Sequence, residues 1–81
     1  MAYFVPHYPL ISIDPKVCTG KPHIKGTRIT VAAILAHMAG GMTVQKILEE
    51  FPRLTEAAVS QALAFASSQL EDQYFPLESV V

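Results

Sequence analysis

Two apolar stripes at helical spacing, separated by a glycine pair, constrain this fold more than any other feature of the sequence. The first stripe follows Thr30 and ends at Gly40-Gly41, and glycine commonly ends a helix. The second follows Thr43 and ends before Pro52, because the residue preceding a proline disfavours helical geometry. The stripes are Val31, Ile34, Leu35 and Met38, then Val44, Ile47, Leu48 and Phe51. The sequence therefore predicts two short helices, each with a threonine N-cap.

A third and longer helix is predicted from Thr55 to about Gln73. Thr55 is placed to cap it, Glu56 lies near its positive N-terminus, and Pro76 forbids its continuation. Its expected core stripe is Val59, Ala62, Leu63, Ala66 and Leu70. Phe65 lies off this stripe and is expected to need a separate pocket. The second and third helices have the lengths and short connection of a helix-turn-helix pair.

The residues before Thr30 favour extended backbone and a small β element. Two prolines within the first ten residues exclude a helix, and Ile11-Ser12-Ile13 alternates apolar and polar side chains. His23-Ile24 and Arg28-Ile29 flank Lys25-Gly26-Thr27, where either a tight turn or a bulge with Gly26 at positive φ is expected.

These elements predict a mainly α fold, a three-helix helix-turn-helix bundle with a small N-terminal β element. The 81 residues are expected to form a single domain, with an extended or β arm and basic loop at 1–29, the bundle at 30–73 and a tail at 74–81. The chain is 51% hydrophobic and 16% charged, which argues against disorder. A domain this small buries only about 60% of its unfolded surface, so a partner is expected to cover exposed apolar area.

The charges divide along the chain. Residues 1–48 hold five cations against Asp14, whereas residues 49–81 hold Arg53 against six acids. Such a chain attracts a partner of either sign or a second copy of itself, and a homodimer is expected. The alternative is that both clusters are solvated faces.

The sequence predicts a cytoplasmic location and no membrane span. No cation precedes Lys16, so a secretory signal is not expected, and the apolar stretch from Ile29 to Met42 is too short and polar for a bilayer. Cys18 is the single cysteine, so no disulfide forms within the chain.

Catalytic and metal-binding patterns are weak. Cys18 and His23 lie five residues apart without an orienting group, and His7, His23 and His37 lack metal-ligand spacing. Gly20-Lys21 is followed by proline where a phosphate loop needs serine or threonine. We therefore expect no enzyme and no cofactor, with an enzyme that uses Cys18 and His23 as the alternative.

Nucleic-acid binding through the third helix is also disfavoured. That helix has no cation after Arg53, and Glu56 at its start repels phosphate. In a dimer, the cations of the N-terminal basic region could instead contact DNA phosphates. They are Lys16, Lys21, Lys25 and Arg28.

The segment Gly20-Lys21-Pro22-His23-Ile24-Lys25-Gly26-Thr27-Arg28-Ile29 resembles the domain of unknown function 433 family. The resemblance continues through Gly40-Gly41-Met42-Thr43 and Leu54-Thr55-Glu56-Ala57-Ala58-Val59 and covers about residues 11–70. It implies a homeodomain-like fold and an antitoxin-like role, similar to VapB-type antitoxins that partner PIN-like ribonuclease toxins.

Two interpretations of Arg28 stay open. In the first, Arg28 clamps the β element onto a helix C-terminus or onto an acid such as Glu49. In the second, Arg28 or Arg53 reaches the metal-binding carboxylates of a nuclease toxin and blocks them. The motif residues expected to shape the backbone are Gly20, Pro22, Gly26, Thr27 and Pro52.

The C-terminal aromatic segment offers a second candidate contact. Tyr74, Phe75 and Leu77 supply anchors of the kind enriched at interfaces, or they fold back over the bundle or a twin subunit. The function that the resemblance implies is an antitoxin-like protein that neutralises a ribonuclease toxin and binds operator DNA as a complex. The alternative is a stand-alone helix-turn-helix transcription regulator.

Overall fold

The computed structural model describes residues 3–71, which form a small antiparallel sheet followed by three α-helices. The predicted fold class is confirmed: the chain is mainly α, with α2 and α3 in helix-turn-helix order behind an N-terminal β element. The predicted ends of the bundle, at 73, and of the tail, at 81, lie outside the described residues. The elements are β1 Tyr3–Phe4, β2 Ile11–Ile13, β3 His23–Ile24, α1 Val31–Ala39, α2 Val44–Glu50 and α3 Glu56–Glu71.

The sheet has the order β1-β2-β3, and both pairs are antiparallel. The sequence predicts only extended backbone before Leu10, whereas the structure pairs β1 with β2. Pro6 and Pro9 fall in the connection between these strands, where their missing N–H groups interrupt no ladder. Ile11 lies opposite Ile24 across the second pair, and both are 3% exposed, so the sheet contributes directly to the core.

All three predicted N-caps are confirmed. In each case the threonine hydroxyl oxygen accepts a hydrogen bond from the backbone N–H three residues later, which satisfies one of the unpaired donors at a helix start. The pairs are Thr30 with Ala33 at 3.0 Å, Thr43 with Lys46 at 3.1 Å and Thr55 with Ala58 at 3.1 Å.

The glycine pair ends α1 as predicted. Gly41 adopts φ +100°, the left-handed region that favours glycine. Its N–H donates to Met38 O at 3.0 Å, while the N–H of Met42 donates to His37 O at 3.1 Å. These two bonds form a Schellman motif and satisfy the terminal carbonyls of the helix.

The connection between α2 and α3 is short because Pro52 stops the second helix. Phe51 has φ −124° and ψ 83°, outside the helical region, as the following proline requires. The N–H of Leu54 then donates to Phe51 O at 2.9 Å, which closes the turn. Leu54 is 5% exposed and anchors the turn to the core.

The three largest fully buried side chains of the core come one from each helix. Ile34 and Ile47 are 0% exposed and Val59 is 1% exposed. Burial of such a side chain stabilises the fold by about 1.5–3 kcal/mol. The other core residues are Val5, Ile11, Ile24, Val31, Leu54, Ala58, Ala62 and Phe65.

The predicted core stripe of α3 is partly wrong. Phe65, expected to lie off the stripe, is only 6% exposed and packs edge-to-face on Tyr8, with ring centroids 5.5 Å apart. Leu70, expected in the core, is 65% exposed. The buried face of α3 is therefore rotated toward Ala58, Ala62 and Phe65, because apolar residues occupy more than one side of this helix.

Candidate functional site

An open groove of about 710 Å³ gathers three cationic side chains beside the sheet. It lies where β2, the loop after β3 and the α2–α3 turn meet, and we call it the basic groove. It is lined by Ser12, Asp14, Val17, His23, Lys25, Gly26, Thr27, Arg28, Ile29 and Arg53.

A tight turn after β3 forms one wall of the basic groove. The N–H of Thr27 donates to Ile24 O at 3.0 Å, and Gly26 has φ +81° at the third position of the turn. A type II turn requires such a residue there, so the tight turn is confirmed. Past the turn, the N–H of Ile24 donates to Ile29 O at 2.9 Å, so the chain returns antiparallel to β3.

The Thr27 hydroxyl fixes this wall from within. It donates to Ile24 O at 2.8 Å and accepts from the N–H of Ile29 at 3.0 Å. One side chain thus connects both arms of the turn. Arg28, the residue between these contacts, is held at the exposed rim of the basic groove.

Arg53 connects the turn to the helices. Its Nη1 donates to Gly26 O at 3.3 Å, which spans from the α2–α3 turn to the β element. The predicted clamp from Arg28 to Glu49 is wrong: within residues 3–71 the Arg28 side chain forms no salt bridge or hydrogen bond, and Glu49 pairs with no cation. Arg28 is exposed on the turn. The hydrogen bond that joins the β element to the helices comes from Arg53 instead.

The backbone behind Arg28 is supported by an unusual turn. Cys18, Thr19 and Gly20 all have positive φ, at 52°, 52° and 83°. The Cys18 thiol donates to Arg28 O at 3.2 Å, which ties this turn to the rim of the basic groove. The cysteine, half-buried, therefore has a packing role in the loop.

His23 is the buried polar residue of the groove wall, only 4% exposed. Its Nδ1 lies 3.1 Å from Lys21 O, and since a carbonyl only accepts, Nδ1 carries the proton. The imidazole and the Cys18 thiol thus bond to separate backbone carbonyls, and not to each other. No three His, Cys, Asp or Glu residues in the described part of the chain are grouped closely enough to hold a metal ion.

The groove carries an excess of positive charge. Lys25, Arg28 and Arg53 face it together with a single acid, Asp14. One carboxylate oxygen of Asp14 already accepts from the N–H of Lys16 at 2.9 Å. The arrangement suits a carboxylate or phosphate ligand, because guanidinium groups bind such groups through paired donors.

The structure separates the four cations that the sequence grouped for DNA contact. Lys25 and Arg28 line the basic groove, whereas Lys16 does not, and Lys21 lines a different, apolar groove. Arg53, far along the chain, joins the basic groove instead. Tyr74, Phe75 and Leu77 lie outside the described residues.

The remaining motif residues shape the surrounding backbone. Gly20 closes the positive-φ turn, and Pro22 O accepts from the N–H of Val31 at 3.0 Å, which joins the loop to the start of α1. Pro52 is exposed in the α2–α3 turn, next to Arg53. Sequence reasoning missed Ser12 and Asp14 as groove residues, although the polar Ser12 within β2 and Asp14 directly after it were a usable signal.

No helix within residues 3–71 is long and apolar enough to cross a bilayer.

Comparison with known proteins places the chain in a family. The sequence profile described as "Protein of unknown function (DUF433)" matches residues 11–66. The uncharacterized protein y4eO of Sinorhizobium fredii is 29% identical over 59 residues, which are 73% of this chain and 27% of that protein. The chain thus spans about a quarter of the length of this curated relative.

A solved structure supports the same assignment. The crystal structure of a DUF433 member protein from Anabaena variabilis is similar with a TM-score of 0.73 and 32% sequence identity. The match covers 76% of this chain and 61% of the Anabaena chain. The profile match covers the strands β2 and β3, all of α1 and α2 and most of α3, and the chain belongs to the DUF433 family.

Proposed function

We propose that this chain is an antitoxin-like, non-enzymatic protein that binds a PIN-like ribonuclease toxin through the basic groove and neutralises it. The observation that carries the proposal is the gathering of Lys25, Arg28 and Arg53 around one open groove that contains a single acid. Arg28 is exposed, and its guanidinium has no partner within residues 3–71.

The positive charge of the basic groove indicates a partner with an acidic surface. A metal-dependent nuclease holds its metal ions with a cluster of carboxylates, and such a cluster is the complement of the basic groove. The planar fork of Arg28 binds a carboxylate through two parallel hydrogen bonds. Occupation of those carboxylates by Arg28 competes with the metal ions that activate water, so the nuclease loses its hydrolytic activity.

The same geometry disfavours base recognition by α3. A recognition helix presents cations or amides to the major groove. Glu56–Glu71 contains no lysine or arginine, and of its two glutamines Gln61 already accepts from the N–H of Leu10. Glu56 also stands in the first turn, where it opposes phosphate binding. Since a bound toxin occupies the basic groove, DNA contact through that groove belongs to the alternative function, a stand-alone regulator that acts without a toxin.

Inhibition of ribonuclease activity tests the proposal. The full chain is titrated into a PIN-like ribonuclease encoded beside it, and RNA cleavage is measured with wild type, Arg28→Glu and Arg53→Glu. Loss of one partner of a buried charge pair costs about 2–5 kcal/mol, so inhibition by Arg28→Glu is expected to weaken by at least about 30-fold. Lys46→Glu is the control, because Lys46 is a cation on α2 outside the groove.

The outcomes separate the alternatives. Equal inhibition by wild type and Arg28→Glu, with both folded by circular dichroism, contradicts a role for the groove. Salt-dependent binding of wild type to upstream DNA without any nuclease present favours the stand-alone regulator instead.

A further inference from the structure

A second surface, separate from the basic groove, leaves apolar side chains in solvent. Leu70 on the last turn of α3 is 65% exposed, whereas every large aliphatic residue of the core is below a tenth exposed. Burial of a leucine of this kind contributes about a tenfold to hundredfold change in an association constant. The face around Leu70 is therefore a candidate interface.

The face consists of a ridge between two shallow grooves. Leu35 of α1 and Ala66 and Leu70 of α3 border both grooves and form the ridge. The groove on one side, about 470 Å³, adds Leu63 and Glu71 to the ridge residues. The groove on the other side, about 300 Å³, has an almost wholly apolar wall that includes Pro22, Val31 and Ala32.

The charges of this face are arranged with opposite signs on opposite sides. Lys21 borders one groove and Glu71 borders the other, and these are the two charged residues that line the pair of grooves. Neither forms a salt bridge with another residue of the described range 3–71, where Lys46 and Glu50 make the ion pair. A two-fold axis parallel to the ridge, between it and the apolar groove, seats each ridge in that groove of the other copy and brings Lys21 of one copy to the side of the other that carries Glu71.

We propose that a second copy of this chain docks on this face in an isologous dimer. Leu70 of each protomer enters a groove of its partner, and two Lys21–Glu71 pairs close the rim, one at each end. A two-fold interface must be self-complementary. This face meets that condition, because its ridge can fit a groove of the same shape on the partner and its positive side can meet the partner's negative side. This interface shares no residue with the basic groove, so it is independent of the proposed toxin contact.

The mass of the full chain in solution tests the apolar part of the proposal. Sedimentation or light scattering over about a hundredfold range of concentration is expected to show a dimer for wild type and a monomer for Leu70→Glu. Ala57→Glu is the matched control, because it adds the same carboxylate to an exposed position of α3 that lines neither groove, and it is expected to stay dimeric. Circular dichroism checks that each variant is folded.

A charge swap tests the arrangement of the two copies. Lys21→Glu and Glu71→Lys are each expected to weaken the dimer by roughly tenfold, since each places like charges together at both ends of the interface. The double variant restores opposite charges and is expected to regain most of the wild-type affinity. Recovery of this kind does not occur if the two residues lie apart in the dimer.

Three results overturn the proposal. A wild-type monomer at every concentration means that the face is covered within one chain or by another protein. A Leu70→Glu variant that is folded and still dimeric places the dimer contact elsewhere. A double charge variant as weak as the single ones rules out the two-fold arrangement. None of these results bears on nuclease inhibition through the basic groove, so the two proposals fail separately.

Discussion

Replacement of Gly26 by alanine is expected to destabilise the wall of the basic groove without any steric clash. Gly26 has φ +81°, and a Cβ at this position meets no atom within 4 Å. The whole cost of the methyl group is therefore conformational. Gly40 provides the comparison, because its φ is −79° and a Cβ there meets two backbone carbonyl oxygens at ordinary contact distances of 3.5 and 3.6 Å.

The magnitude follows from two opposing effects. An L-residue in the left-handed region costs about 1–2 kcal/mol. Alanine also lowers the conformational entropy of the unfolded chain relative to glycine. This effect stabilises the folded state by about 0.4–1 kcal/mol at any site whose backbone conformation alanine can adopt. Gly26→Ala is thus expected to lower the free energy of unfolding by about 1 kcal/mol, and Gly40→Ala to raise it by about 0.4–1 kcal/mol.

Urea denaturation followed by far-UV circular dichroism measures both variants in the same 81-residue chain. Chemical synthesis with D-alanine at position 26 adds a stricter test. A D-residue prefers positive φ, so the same methyl group is expected to stabilise the turn. Equal stabilities for Gly26→Ala and Gly40→Ala, or a loss with D-alanine as large as with L-alanine, refute the conformational explanation.

Four further changes test the surrounding structure by the same denaturation assay. Thr27→Val removes both hydroxyl hydrogen bonds of the turn and is expected to cost about 1–3 kcal/mol; a neutral result contradicts its bridging role. Ile34→Ala removes a side chain that is 0% exposed and is expected to cost about 2–5 kcal/mol, so a cost below this range means a looser core. Thr43→Ala loses the cap of α2 and is expected to cost about 1 kcal/mol, whereas Lys46→Ala breaks an exposed ion pair and is expected to cost less than about 0.5 kcal/mol.

Local rules accounted for the helix ends. Thr30 and Thr43 cap the helices that follow them, Gly41 ends α1, and Pro52 excludes Phe51 from α2, all as the sequence predicts. Each of these effects acts within five residues, so the neighbouring sequence is sufficient to determine it. The turn at Gly26 belongs to the same group.

Contacts distant in sequence were not predictable in this way. The bond from Arg53 to Gly26 O joins residues 27 apart, and Gln61 accepts from the N–H of Leu10 across 51 residues. Periodicity also failed to choose the buried side of α3, because Phe65 and Leu70 each fit an apolar stripe and only packing on the sheet and α1 separates them. The basic groove depends on such contacts. The sequence could therefore predict that Lys25 and Arg28 lie close to each other, but not that Arg53 joins them.

The most direct test of the central claim, that the basic groove receives an acidic protein surface, is an amide map of the complex. Isotope-labelled chain is titrated with the unlabelled ribonuclease, and the backbone signals are followed by NMR. The largest shifts are expected on residues 25–29 and on Arg53, and they are expected to vanish with Arg28→Glu. Shifts concentrated elsewhere, with residues 25–29 unchanged at saturation, contradict that claim.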